Sequence, residues 1–194
     1  MIVSLWAAGL LAAAVQPSTH AAAIAHWREL LSADEFGAEL RALIAAAPGA
    51  IDQYEWIINA PDSRPMHVAR LYGVISQSKV DRKHFLKYVV RDLTHLDTRV
   101  RRVAATFIGK EGTAADSAPL LVLLSDPEGT VAYAAAVALG KIGDDRTVIA
   151  LELWLRYNRV PGDPRREMPH VTEARDEIKA RLAAQAKAKD AAKP

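Results

Sequence analysis

Apolar residues recur along most of the chain at three- and four-residue intervals, and short polar stretches with proline, glycine or aspartate separate the runs. Over residues 21–31, Ile24, Trp27, Leu30 and Leu31 share one face of a helix. Ser32, with Glu35 three residues later, has the form of a capping box and opens a second helix whose stripe is Phe36, Leu40, Leu43 and Ile44, and Pro48-Gly49 stops it. Tyr54, Trp56, Ile57 and Ile58 predict a third helix that ends by Pro61. Val68, Leu71, Tyr72 and Ile75 predict a fourth. Asp81 then stands as a cap before Phe85, Leu86, Val89, Val90 and Leu93. No run alternates apolar and polar residues between hairpin turns, so the expected fold is all-α.

Self-similarity at a fixed offset of 31 residues organises the middle of the chain. Residues 100–110, VRRVAATFIGK, lie over residues 131–141, VAYAAAVALGK. Paired alanines let neighbouring helices approach, and Gly109 and Gly140 are expected to end the first helix of each unit in the left-handed conformation. The second helices follow with Ala118, Leu120, Leu121 and Leu124 in one unit and Val148, Leu151, Trp154 and Leu155 in the next. Asp126-Pro127 is expected to cap and open the helix that begins the second unit.

Asp126-Pro127, Val131, Ala134 to Ala136 and the run Leu139-Gly140-Lys141-Ile142-Gly143-Asp144 resemble HEAT-like repeats of the type described in phycobilisome lyases. Val100-Arg101, Ala104-Ala105 and Ile108-Gly109-Lys110 match the same pattern one unit earlier. The second copy has Ala132 where the pattern has arginine, and the first has Leu96-Asp97 in place of Asp-Pro. The resemblance implies a short right-handed α-α superhelix, a HEAT-like α-solenoid, with its clearest units at 93–125 and 126–159. The helical-repeat domain is expected over 24–186, since one unit cannot bury its apolar face alone.

The N-terminus adds a question of location. Residues 2–15 carry no charge and precede Gln16-Pro17-Ser18 and Ala21-Ala22-Ala23, which resembles a secretory signal peptide too short for the ~20 residues of a membrane span. No Lys or Arg occurs before Arg28, so the basic leader region is missing, and an apolar first helix over 1–23 is the other reading. Export places the chain in the periplasm or outside the cell, and retention places it in the cytoplasm. With export, N-terminal sequencing of protein from its own host finds neither residue 1 nor residue 2. Residues 187–194, rich in Ala and Lys, are expected to be a disordered tail.

Composition excludes more than it suggests. The chain of 194 residues contains no cysteine, which removes disulfides, thiolate nucleophiles and cysteine zinc sites. A net charge of +2 is too small for a nucleic-acid footprint, and the basic cluster Arg91, Arg99, Arg101 and Arg102 reads as a solvated helix face. His20, His26, His67, His84, His95 and His170 include no pair at the i, i+4 spacing that presents two ligands to one ion. No nucleophile elbow, phosphate loop or dinucleotide turn occurs. Asp34-Glu35 and Asp144-Asp145 fit helix starts, where negative charge complements the dipole.

The expected function is therefore a non-catalytic scaffold for another protein, without cofactor or metal. Its contact surface is placed on the second-helix face carrying Glu152, Arg156 and Tyr157, with Arg165 and Arg166 from the proline-containing loop 160–169, because insertions in solenoids gather on the binding face. Two alternatives stay open. The resemblance includes bilin lyases, which implies a chromophore-lyase-like enzyme subunit, and some helical-repeat proteins bind nucleic acid along a basic groove.

Overall fold

The computed structural model describes residues 25, 51–60, 63–77, 81–158 and 169–192. The expected leader, the two helices before Pro48, Arg165 and Arg166 lie outside the described residues. Eight α-helices are described: α1 (Ile51–Asn59), α2 (Pro65–Ile75), α3 (Leu86–Asp92), α4 (Thr98–Glu111), α5 (Ser117–Leu123), α6 (Gly129–Ile142), α7 (Asp145–Asn158) and α8 (Pro169–Ala191). No strand occurs among the described residues, and no helix there is long and apolar enough to cross a membrane.

The chain divides into two compact units, Met1–Tyr88 and Val89–Pro194. Helical spacing shows which face of a helix is apolar but carries no record of which helices touch.

In the first unit, Tyr54, Ile57, Leu71, Tyr72, Ile75 and Phe85 are buried, and the Tyr54 and Phe85 rings lie 6.1 Å apart. Burial pushes the Tyr54 phenol up to about 12. Asp81 caps a 3-10 turn over Arg82–Phe85 by accepting from the Lys83 amide, as its position in the sequence suggests. Glu55 ties α1 to the turn and to α3: its Oε1 accepts from the Tyr88 hydroxyl at 2.7 Å, lies 2.7 Å from His84 Nε2 and pairs with Lys87 at 3.4 Å. These bonds, Tyr88 first, hold the Glu55 carboxyl below its ordinary range.

The second unit holds the repeats. Helices α4, α6 and α8 pack side by side in one layer, while α5 packs on α6 and α7 on α8 in a second. The helices interlock through residues at repeat-equivalent places: Val100, Ala104, Ala105 and Ile108 on α4 and Val131, Ala135, Ala136 and Leu139 on α6 are all buried. Burying such side chains is the main stabilising term, and small alanines bring the helices close enough for it.

Two glycines do a different job from the one their position suggests. Gly109 and Gly140 are buried inside α4 and α6 and do not end them. A Cβ on Gly109 would lie 2.8 Å from both Cα and Cβ of Ala138, and one on Gly140 would lie 3.4 Å from Ala174 Cα and closer still to Glu177. At Gly109 the backbone of α6 comes too close for a side chain, whereas at Gly140 the space is taken by the flexible end of Glu177. The helices run on to Glu111 and Ile142, and Gly112 (φ −79°) and Gly143 (φ −62°) follow in extended conformation. There a side chain would press on the carbonyls of Ile108 and Leu139.

Turn chemistry also departs from expectation at Asp126-Pro127. Helix α6 begins at Gly129, so Pro127 lies outside it, and Asp126 Oδ1 accepts from the Glu128 amide instead of capping the helix. Asp144 does cap: its carboxylate accepts from the amide and the hydroxyl of Thr147 at the start of α7, which holds its pKa down.

Helix α8 closes the described array. It buries only Val171, Ala174 and Ile178 and turns a polar face outward, as a terminal repeat must. Arg181 donates to the Gly143 carbonyl beyond the end of α6. Residues 187–191, expected as a disordered tail, belong to this helix: alanine and lysine lack a core to join but have high helix propensity.

Candidate functional site

The 31-residue offset carries over to the second helices. It sets Val122 of α5 against Leu153 of α7, and Ala118 against Ile149. On α7 itself, Ile149, Leu153 and Tyr157 follow at i, i+4 and i+8 and share one face. These residues do not turn inward. Val122 is 72% exposed, Ile149 58%, Leu153 48% and Tyr157 80%, whereas Val148, Leu151 and Leu155 on the opposite side of α7 are buried. Ile149, Leu153 and Tyr157 form a stripe along α7, and α5, which touches α7, adds the exposed Val122. Singly exposed apolar residues are ordinary, whereas a row of them on one helix face is less so.

Residues 85–162 match the sequence family described as HEAT repeats. Over these residues the chain carries HEAT-like repeats. The HEAT-like fold is similar to the crystal structure of an engineered protein from the Northeast Structural Genomics Consortium, with 16% identity and a TM-score of 0.50 over 93% of this chain and 98% of that one. No curated protein matches the chain in sequence.

Within this HEAT-like array the four-arginine cluster is largely neutralised. Arg91 pairs with Asp92, Arg99 with Asp97 and Arg101 with Asp126, at 2.6, 2.7 and 2.7 Å. Arg99 holds the Asp97 carboxyl down to about 2. Arg101 is the most engaged. Its Nε and Nη2 donate to the two Asp126 oxygens at 2.7 and 2.9 Å, and Nη1 donates to the carbonyls of His95 and Leu96, both at 2.9 Å. One guanidinium therefore joins the loop before α4 to the loop before α6. At the equivalent places one unit later stand Ala132 and Tyr157, so arginine and aspartate are replaced together and the staple is not repeated.

Of the five residues that the sequence singles out, the structure brings Arg156 and Tyr157 to the exposed end of α7, next to the apolar stripe. Glu152 is engaged elsewhere: it accepts from Lys179 Nζ of α8 at 2.6 Å, which lowers its pKa and anchors α8. Arg165 and Arg166 are not described. The apolar residues of the stripe, Val122, Ile149 and Leu153, were legible only by extending the 31-residue comparison from the first helices to the second. No group of three or more His, Asp or Glu side chains gathers to hold a metal ion among the described residues.

Proposed function

We propose that this HEAT-like array is a non-catalytic scaffold that binds another protein through its second-helix face, with Val122, Ile149, Leu153 and Tyr157 as the apolar centre and Arg156 at the rim. The observation that carries the reading is the exposed stripe itself. An apolar centre with a charged rim is the usual anatomy of a protein interface, and tyrosine and arginine are the residue types that most often dominate its energy. The match of residues 85–162 to HEAT repeats, whose stacked helices offer extended binding surfaces, supports it. Removal of a leader from residues 1–23, and hence a periplasmic or secreted location, belongs to the same proposal.

Replacing Ile149, Leu153 and Tyr157 together with serine tests the placement, because all three are exposed and the folded array does not depend on them. We expect the triple variant to keep its circular dichroism spectrum and melting temperature while losing capture of native partners from its own host, with about 2 kcal/mol or more of binding lost at an anchoring tyrosine. Unchanged capture by the folded triple variant refutes the second-helix face.

A further inference from the structure

On the other layer, between the first helices α4 and α6, lies a groove of about 460 Å³ that the stripe does not touch. Arg102 and Thr106 line it from α4, and Tyr133, Val137, Ala138 and Lys141 from α6. The groove owes its form to Gly109, which draws α4 against Ala138 at its floor while the longer side chains on either bank stand apart.

Its charge is one-sided. Arg102 and Lys141 are exposed and neither has a carboxylate within ion-pair distance among the described residues, in contrast to Arg91, Arg99 and Arg101. No acidic residue lines the groove. On the α8 side the Glu177 carboxylate leans over Gly140. Between the two cations the surface is apolar, formed by Ala134, Val137 and Ala138, with the exposed Tyr133 ring set edge-on to His170 at 6.0 Å.

The spacing of the cations fixes what fits. Arg102 holds on α4 the place that Tyr133 holds on α6, 31 residues later, and Lys141 follows Tyr133 by eight residues. Gly109 meets Ala138, and Arg102 precedes the one by seven residues while Lys141 follows the other by three, so at a rise of 1.5 Å per residue the two backbone positions stand about 15 Å apart along the helix axis. Carboxylates at i and i+7 of a helix lying along the groove, about 10.5 Å apart, are within reach of the long Arg102 and Lys141 side chains, with small or apolar side chains at i+3 and i+4 against the floor.

We propose that the groove between α4 and α6 receives an acidic amphipathic helix of a partner protein, held at its two ends by Arg102 and Lys141 and seated on Val137 and Ala138. A phosphate backbone is the poorer fit, since it needs a continuous basic track and stacking platforms, and here two cations flank an apolar floor. The surface is separate from the stripe on α5 and α7, so either can fail alone.

The test uses the full chain and fluorescein-labelled helical peptides of about 18 residues, long enough to hold helical structure. One carries Glu at i and i+7 with Leu at i+3 and i+4, the second has Lys in place of both Glu, and the third has the same composition with the Glu pair moved to the opposite face. Fluorescence anisotropy in low salt should show the first peptide bound roughly tenfold more tightly than the other two. R102E/K141E should reverse the preference between the Glu and Lys peptides, and the serine triple variant on α7 should leave it unchanged. Equal binding of the three peptides, or a preference that survives R102E/K141E, overturns the proposal. So does binding of an oligo-dT strand that exceeds the Glu peptide and is lost in R102E/K141E, an outcome that would make the groove a nucleic-acid site.

Discussion

Replacing Gly109 with alanine is expected to destabilise the protein by about 2 kcal/mol, although alanine is the better helix former by about 1 kcal/mol. The reason is geometric. The added Cβ would lie 2.8 Å from the Cα of Ala138, and a backbone atom cannot swing aside as the end of a flexible side chain can. Helices α4 and α6 would have to separate along a contact that buries Ala104, Ala105, Ala135 and Ala136, and a shift there is transmitted because the interior is close-packed. Gly73 of α2 provides the opposite sign. Nothing lies within 4 Å of a Cβ built there, so Gly73→Ala should stabilise by up to about 1 kcal/mol through helix propensity alone. Urea denaturation of the two variants separates the effects. The close-approach role of Gly109 fails if Gly109→Ala raises the midpoint as Gly73→Ala does. Gly109→Val, with two more methyl groups in the same space, should be worse than alanine.

The sequence made the repeat legible but not the work of its residues. Periodicity located the apolar faces of α4, α6 and α7, because burial imposes the 3.6-residue period directly on side-chain type. Gly109 and Gly140 were misread as helix ends because glycine serves helix termination and close packing alike, and only the neighbours, Ala138 at Gly109 and the Glu177 side chain at Gly140, tell the two apart. Pro127 was misplaced by two residues for a related reason: Asp-Pro suits a helix start, but Asp126 is engaged by Arg101 and the helix starts at Gly129. Asp144 was read correctly because its partner, Thr147, lies within the same turn. Local chemistry can be read locally, whereas a partner 25 residues away, as Asp126 is from Arg101, cannot. The candidate face shows the same limit. Arg156 and Tyr157 were singled out because they lie on the second-helix face beside the loop 160–169, but Leu153 looks like any core leucine until Val148, Leu151 and Leu155 are seen to fill the inner side of α7.

Loss of the Arg101 side chain is expected to be the most damaging single change at any polar residue of the array. The Arg101 and Asp126 side chains are 13% and 7% exposed, so Arg101→Ala leaves a part-buried carboxylate with only the Glu128 amide and removes the donor to the part-buried His95 carbonyl, at a cost of about 2 kcal/mol. Arg101→Lys should recover little of this, since one ammonium cannot present two parallel donors to Asp126 and also reach both carbonyls. R101M/D126L, which removes both charges, should be less destabilised than Arg101→Ala, because the penalty comes chiefly from the charge left behind. The pH dependence separates the ion pair from simple packing of the arginine stem. The hydrogen bond from Arg101 lowers the Asp126 pKa below its ordinary 3.8. A depressed folded value means that the stabilisation is complete above the ordinary value and is lost as pH falls through the lowered one. The gap in unfolding free energy between the wild type and Arg101→Ala should therefore be constant at neutral pH and narrow as pH drops below 3.8. Urea titrations of both proteins across that range decide the matter: a gap that stays constant into strong acid would show that Arg101 acts through its methylenes and its bonds to His95 and Leu96, and not through Asp126.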